Sequence, residues 1–212
     1  MAKPRHSRRA LLAWPLILAA GPAMAAARTK VITVLGDSIT AGYGLPARAA
    51  LPYQLQVALT RLGAPAQVRA AGVSGDTTAG GLARVDFSVR KDTDLVIVAL
   101  GANDLLQGQD PRRTRANLDG IVKKLKARKI GVVLTGVMAP VEVGGGYARD
   151  FNAVFPAVAR AHGVPLYANL LDGVARQPSL NQPDGIHPNA RGAAIIAARL
   201  APVVAKALAT RR

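Results

Sequence analysis

Two stretches of the chain, 95–100 and 130–137, are apolar at nearly every position, and this continuity limits the fold more than any other feature. A strand with one face in water alternates apolar and polar side chains, whereas a strand buried on both faces is apolar throughout. The two stretches therefore predict parallel strands in a sheet that helices cover on both sides.

Strand and helix patterns alternate along the rest of the chain. Short apolar runs predict further strands at 30–35, 67–70 and 163–167. Apolar residues at helical spacing predict helices at 54–62, 78–89, 112–129, 147–162 and 189–208. This order predicts one three-layer α/β/α sandwich around a central parallel sheet. Sites in such sheets lie beyond the carboxyl ends of the strands, which here follow Leu35, Ala70, Leu100 and Val137.

The first 25 residues have the parts of a secretory signal peptide. A positive head is followed by an apolar run at 10–20, and Ala23-Met24-Ala25 fits the small-x-small cleavage pattern. We expect residues 1–25 to be removed and residues 26–212 to form one domain in the periplasm or outside the cell. The pair Arg8-Arg9 leaves open whether export uses the general or the twin-arginine route. The chain has no cysteine, which excludes disulfides and thiolate metal sites.

The chain is strongly basic, with a net charge of +16 that falls to +12 without residues 1–25. Eight cations lie at 112–129, and such a surface can attract nucleic acid, anionic lipid or acidic substrates. Aromatic residues are not interleaved with these cations, so the usual platform for stacking nucleic-acid bases is missing. We interpret the segment as a solvated helix face and expect no nucleic-acid partner. Transient contact with an anionic membrane surface stays open.

Histidine is scarce, which makes each one informative. His6 lies in the signal segment. His162 ends a predicted helix, where it is expected to help satisfy free carbonyl groups. His187 follows Asp184 by three residues, just before the last helix. A turn there brings the carboxylate to the imidazole, where it would fix the tautomer of a general base.

Two serines are candidate nucleophiles. Ser38 follows the first strand in Gly36-Asp37-Ser38-Ile39, although taken alone it also fits a helix N-cap. Ser74 is followed two residues later by Asp76, where a nucleophile elbow requires glycine. The sequence therefore favours Ser38.

Two further residues are candidate stabilisers of an oxyanion. Gly72 follows the second strand, and its N–H can approach a ligand without a side chain in the way. Asn103 follows the third strand, and its side-chain amide is a neutral donor. Both residues also fit ordinary turns or helix caps.

Four short sequence blocks, in the order in which they follow one another along the chain, resemble those of the GDSL, or SGNH, hydrolase family. They are Gly36-Asp37-Ser38, a glycine after the second strand, Gly101-Ala102-Asn103-Asp104, and Asp184-Gly185-Ile186-His187-Pro188. The resemblance covers nearly all of residues 31–208. It is closest to the bacterial branch of arylesterases and acyl-CoA thioesterase I/lysophospholipase L1 enzymes, and it implies a flavodoxin-like fold.

The resemblance implies a role for each residue. Ser38 attacks the acyl carbonyl, His187 carries the proton, and Asp184 orients His187. The backbone N–H groups of Ser38 and Gly72 and the side chain of Asn103 form the oxyanion hole. The implied activity is hydrolysis of aryl or acyl esters, and of acyl thioesters or lysophospholipids, through an acyl-enzyme. Neither a metal nor a cofactor is implied.

Two other functions stay open at this point. A carbohydrate O-deacetylase would use the same residues, although the chain has few aromatic residues for stacking on sugars. A non-enzymatic periplasmic binding protein would predict loss of a catalytic group, and none is lost. The expected partner is a small-molecule ester or lipid, with no obligate protein partner. Residues 140–147 follow the fourth strand and are expected to form either a wall of the acyl pocket or a mobile loop.

Overall fold

The computed structural model describes residues 28–210 and Met1, and its centre is a sheet of five parallel strands. The strands are β1 (Lys30–Gly36), β2 (Ala66–Gly72), β3 (Leu95–Ala99), β4 (Gly131–Thr135) and β5 (Leu166–Tyr167). Their order is β2-β1-β3-β4-β5, which is the flavodoxin-like order. The predicted α/β/α sandwich is confirmed. The predicted signal peptide at 1–25 lies outside the described residues apart from Met1.

Eight helices connect or cover the strands in the described part of the chain. They are α1 (Ser38–Ala41), α2 (Leu51–Arg61), α3 (Thr78–Ser88), α4 (Ala102–Leu106), α5 (Pro111–Ala127), α6 (Gly145–Asn152), α7 (Val154–His162) and α8 (Ala190–Ala209). Helices α2 and α8 pack on one face of the sheet, and α3, α5, α6 and α7 pack on the other.

The core consists of two apolar layers, one on each face of the sheet. On β3, Val96 and Val98 face one layer, whereas Leu95, Ile97 and Ala99 face the other, and all five side chains are buried. This arrangement explains why the strand is apolar at every position. Helix α8 is long and apolar enough to cross a membrane, but nine of its residues are buried, and most of them pack in the α2–α8 layer. It is therefore a core helix of the sandwich.

The single helix expected at 147–162 is instead two helices that meet at Ala153, which corrects the prediction. Pro156 has no N–H to donate to the carbonyl of Asn152, and its ring clashes with that carbonyl in a continuous helix. Phe151 of α6 and Phe155 of α7 pack edge to face in the core, with ring centroids 5.8 Å apart.

The strands end level with one another at one edge of the sheet. Gly36 of β1 pairs with Gly72 of β2 on one side and with Ala99 of β3 on the other. The order in which strands are added to the sheet reverses at β1, since β2 lies on one side of it and β3 on the other, and ligands bind beside this kind of switch point. The segments that follow these strand ends must therefore converge on one place.

A buried carboxylate fixes the segment after β3. Asp104 is only 2% exposed, and it accepts hydrogen bonds from the Thr78 N–H and hydroxyl and from the Thr114 hydroxyl. Thr78 begins α3, so the carboxylate also lies at the positive end of that helix. Asp104 thus joins α3, α4 and α5 directly behind Asn103.

Candidate active site

The pair of Asp184 and His187 is built within one turn. Asp184 Oδ1 accepts the backbone N–H groups of Ile186 and His187, each at 2.9 Å. Its Oδ2 lies 2.7 Å from His187 Nδ1, and Gly185 has the φ of +70° that the turn requires. The backbone and side-chain hydrogen bonds from His187 lower the pKa of Asp184 to about 2. An ionised carboxylate therefore faces Nδ1 and holds the ring proton there.

The other ring nitrogen meets Ser38. His187 Nε2 lies 2.8 Å from Ser38 Oγ, across 149 residues of sequence. With the ring proton on Nδ1, Nε2 is free to accept the hydroxyl proton. Ser38 is the first residue of α1, and the N-cap is Asp37, whose carboxylate accepts the Ile39 N–H. The structure thus brings Ser38, His187 and Asp184 together, and Ser38 is not the cap that its neighbours suggested.

The turn that carries His187 is anchored to the loop after α1. The ring of Tyr43 lies against the imidazole, with centroids 4.7 Å apart. Gln182 donates through its side chain to the carbonyls of Tyr43 and Pro188, and its N–H donates to the carbonyl of His187. These contacts hold the ring over Ser38.

Asn103 lies in the same pocket as Ser38 and His187, as expected. Its Nδ2 donates to the carbonyl of Asp76 at 2.9 Å. The side-chain amide carries two protons, so this bond fixes the group and leaves one N–H for a ligand.

Gly72, the second expected oxyanion donor, lies elsewhere. It lines a groove on another face, and a Cβ there would come within 2.7 Å of the carbonyl oxygen of Asp37. Amide directions alternate along a strand, and the Val68 N–H, four residues earlier, donates to Gln56 beyond the outer edge of β2. The N–H of Gly72 therefore points to that outer edge and away from Ser38. Gly72 lets α1 approach β2 closely.

Gly75 occupies the place that Gly72 was expected to fill. It lines the pocket with Ser38, has a φ of +82°, and has no atom within 4 Å of where its Cβ would be. Its backbone is therefore open to the pocket. The sequence signal was present in Ser74-Gly75-Asp76, but the strand was predicted to end at Ala70 and not at Gly72.

Arg84 supports this side of the pocket and was not singled out from the sequence. Its guanidinium donates to the Asp76 carboxylate at 2.7 Å and to the carbonyls of Gly36 and Ala71. The Asp76 carbonyl in turn holds Asn103. One cation therefore ties the ends of β1 and β2 to the loop that positions Asn103.

Asp37, next to Ser38 in the sequence, is a second buried carboxyl after Asp104. Its side chain accepts the Ile39 N–H at 3.0 Å, and only 3% of the residue is exposed. Burial raises its pKa to about 6, opposed by the hydrogen bond from Ile39. Asp37 and Asp184 thus have pKa values shifted in opposite directions, because one is buried and the other is held by donors in an exposed turn.

Two neighbouring pockets meet at Asp37, Ile39 and Ala102. The smaller, about 180 Å³, holds Ser38, His187 and Asn103 and is called the catalytic pocket below. The larger, about 440 Å³, is mainly apolar. Its lining includes Val137, Met138, Pro140, Val141, Leu170, Leu171 and Arg176. Residues 140–147 were expected to form either a pocket wall or a mobile loop. Pro140 and Val141, at the start of that segment, line the larger pocket, whereas α6 begins at Gly145 within it.

The remaining candidates have other contacts. Ser74 lines the catalytic pocket, but His187 Nε2 faces Ser38. His162 ends α7 as expected, yet its ring contacts the carboxylate of Asp119 at 2.7 Å and not free carbonyls. Several cations of the basic helix are paired, such as Lys124 with Asp86. Among the described residues, no group of three or more His, Cys, Asp or Glu could hold a metal ion.

A hydroxyl, an imidazole and a carboxylate in line at the edge of a parallel sheet define a serine hydrolase. The sequence profile of the GDSL-like lipase/acylhydrolase family matches residues 34–195. Esterase TesA of Pseudomonas aeruginosa is 37% identical over 182 residues, which cover 85% of this chain and 90% of that protein. Thioesterase 1/protease 1/lysophospholipase L1 of Escherichia coli is 35% identical over 165 residues, covering 77% and 78%.

Solved structures of esterases are also similar to this chain. A crystal structure of TesA has a TM-score of 0.79 at 33% identity and covers 84% of this chain and 99% of that chain. AlinE4, an SGNH-hydrolase family esterase, has a TM-score of 0.72 at 41% identity, with coverage of 86% and 98%. The chain belongs to the GDSL-like lipase/acylhydrolase family, and it is a serine esterase.

The raised pKa of Asp37 predicts a pH-dependent stability. Ionisation of Asp37 destabilises the folded state, and this one contribution is expected to disappear as the pH falls from about 7 to about 4, because Asp37 takes up a proton in the folded state first. Asp37→Asn removes the buried charge and keeps an acceptor for Ile39. The variant should be more stable than wild type at pH 8, by at most about 3 kcal/mol, with the difference vanishing near pH 4.

Thermal unfolding between pH 4 and pH 8 measures this difference. Asp184→Asn is the matched control, since the lowered pKa of Asp184 gives stability that is present at neutral pH and lost in acid. Its effect should therefore have the opposite sign. A pH-independent difference for Asp37→Asn would contradict the assignment.

Proposed function

We propose that Ser38, His187 and Asp184 hydrolyse carboxylic esters of aryl or acyl type through an acyl-enzyme. The observation that carries the proposal is the continuous chain of contacts from Ser38 Oγ to His187 Nε2 at 2.8 Å and from His187 Nδ1 to Asp184 at 2.7 Å. Hydrolysis of this kind needs a nucleophile, a base within hydrogen-bond reach and a group that orients the base.

Acylation begins when Ser38 Oγ forms a bond to the carbonyl carbon of the ester and His187 Nε2 takes the hydroxyl proton. The imidazolium is stabilised by the Asp184 carboxylate, whose low pKa keeps it ionised. The tetrahedral intermediate then collapses, the bond to the leaving alcohol breaks, and His187 returns the proton to that oxygen. For a thioester, the leaving sulfur takes the same place.

Deacylation repeats these steps with water. His187 Nε2 takes a proton from a water molecule, whose oxygen attacks the acyl carbon bound to Ser38. Collapse releases the carboxylic acid, and His187 returns the proton to Ser38 Oγ. The protein thus regains its starting state without any added group.

The oxyanion hole in this proposal consists of three donors. The first is the N–H of Ser38, which opens α1 and has no acceptor within that helix. The second is the free N–H of Asn103 Nδ2. The third is the N–H of Gly75, which replaces Gly72 in that role because it lines the catalytic pocket. Such donors stabilise the charge that develops on the carbonyl oxygen.

The larger pocket is proposed to take the acyl chain. It adjoins the catalytic pocket, and its apolar lining favours a hydrocarbon chain over a sugar. About 440 Å³ is within the range of pockets that enclose small ligands. The names of the relatives, esterase, arylesterase and thioesterase 1/lysophospholipase L1, agree with acyl substrates and do not favour a carbohydrate deacetylase.

Export to the periplasm or beyond is proposed from the amino-terminal pattern alone. The basic head, the apolar run at 10–20 and Ala23-Met24-Ala25 support cleavage after residue 25. Amino-terminal sequencing of the protein from the expressing cell's periplasm or medium is the test, and an uncleaved amino terminus would contradict the proposal.

Ser38→Ala is expected to remove hydrolysis of short p-nitrophenyl esters, because no other hydroxyl faces His187 Nε2 among the described residues. A fluorophosphonate should label wild-type Ser38 and leave the variant unlabelled. Ser74→Ala is the matched control in the same pocket and should keep its activity and labelling. Full activity of folded Ser38→Ala would overturn the mechanism.

Asn103→Ala is expected to lower kcat by about 10²–10³-fold with little change in KM, because the lost donor acts on the transition state. Asn117→Ala serves as control, since that side chain also donates one partly buried hydrogen bond, to Thr78, but lies outside the catalytic pocket. Steady-state kinetics on a short aryl ester distinguish the two. Equal losses in both variants would mean that the effect on kcat is structural.

The assignment of the larger pocket predicts a dependence on acyl length. The specificity constant kcat/KM should rise from acetyl to medium-chain p-nitrophenyl esters, because each added methylene buries apolar surface. Met138→Asp places a charge in the lining and should reduce activity on the longer esters more than on the acetyl ester. A preference for acetyl-xylan over all acyl esters would favour the deacetylase instead.

A further inference from the structure

Six large apolar side chains are exposed around the mouth of the site, and we call them the apolar rim. Three line the catalytic pocket, two line the larger pocket, and one follows in the same short turn. They are Tyr43, Leu106, Ile186, Met138, Val141 and Val143. Val141 is 75% exposed and Leu106 is 63% exposed, so these side chains face solvent and not the core.

Single exposed apolar residues are normal on a protein surface, but a contiguous group around a pocket marks an interaction site. The rim is such a group, since its members belong to four segments that the sheet brings together, namely three loops and the end of α4. Phe87 and Leu62 are also exposed, but they lie near the ends of α3 and α2, at the opposite edge of the sheet.

The charges beside the rim are unbalanced. The exposed carboxylates Asp110 and Glu142 each pair with an arginine. By contrast, Arg48 and Arg115 form no salt bridge among residues 28–210, and Arg113 is attracted only at longer range to Asp110, which already pairs with Arg112. All three arginines are exposed, beside α2 and at the start of α5. The unpaired positive charge at this edge, on a domain with a net charge of +12, complements an anionic surface.

We propose that the apolar rim docks the enzyme on the surface of an anionic lipid aggregate, so that an acyl ester can pass from that surface into the pockets. Apolar side chains enter the boundary between headgroups and acyl chains, and the arginines meet the anionic headgroups. The proposal rests on the esterase function of the same site. A second copy of the chain seated on the rim would instead close the mouth to substrate.

Sedimentation with vesicles tests the docking directly, using the Ser38→Ala protein so that no lipid is consumed. Phosphatidylglycerol vesicles should bind at least about tenfold more protein than phosphatidylcholine vesicles, with binding weakened by salt. Val143→Ser should weaken the binding. The pair Arg113→Gln and Arg115→Gln should weaken it by about fivefold per arginine. None of these three residues lines either pocket.

Matched controls remove similar groups from the opposite edge of the sheet. Phe87→Ser removes a larger exposed apolar side chain, and the pair Arg61→Gln and Lys91→Gln removes the same charge. These controls should bind vesicles as the Ser38→Ala protein does. Equal loss in the controls and the rim variants, or no preference for anionic vesicles, would overturn the proposal.

Hydrolysis of monomeric p-nitrophenyl acetate separates this proposal from the proposed function. With Ser38 restored, the rim variants should keep wild-type rates on this ester while losing vesicle binding. Failure of the wild type to hydrolyse any soluble ester would overturn the esterase mechanism, whatever the vesicles show. A dimer in light scattering that Val143→Ser dissociates would assign the rim to self-association and overturn the docking.

Discussion

The site depends on the close contact of α1 with the backbone of the central strands. A Cβ on Gly36 would come within 2.9 Å of the carbonyl oxygen of Ala99, and one on Gly72 would come within 2.7 Å of that of Asp37. Both positions therefore exclude any side chain. Because α1 lies directly on the strand ends, Ser38 is held at a fixed height above the sheet. The segments after β2 and β3 reach the same height, since their strands end in register with Gly36.

Two carboxyl groups close to this contact have opposite electrostatic environments. Asp37 is buried beneath the nucleophile and is costly to ionise, whereas Asp184 lies in an exposed turn and is ionised readily. The pKa values differ because three N–H groups donate hydrogen bonds to Asp184 and stabilise its ionised form. At Asp37, the effect of burial is larger than that of the hydrogen bonds. Burial of Asp37 thus costs stability at neutral pH beside Ser38, the proposed nucleophile, and such a cost is common at functional sites.

The sequence predicted the sheet and the meeting of Ser38, His187 and Asp184, for different reasons. Buried parallel strands are apolar throughout, and Asp184 and His187 are neighbours in one turn, so these two signals are local. Ser38 alone also fitted a helix cap, and its link to His187 came from the resemblance of four separate blocks to the GDSL family. Gly72 lies outside the catalytic pocket because β2 runs two residues further than its apolar pattern, which moves the loop that reaches the pocket to residues 73–76. Arg84 was missed because its role comes from contacts with distant backbone carbonyls, and a single arginine in a basic chain gives no sign of them.

Ser38 and His187 lie 149 positions apart in the sequence, so ester turnover also reports on the folding of the chain between them. Asp184 and His187 lie within one local turn, whereas Ser38 is brought to them by the folding of the sandwich and by the contacts of Tyr43 and Gln182. Unfolding of the segments between the first strand and the last turn would separate Ser38 from His187. Catalysis is therefore a sensitive gauge of the integrity of the whole domain, and the chain suits division into two fragments whose reassembly is read out as activity.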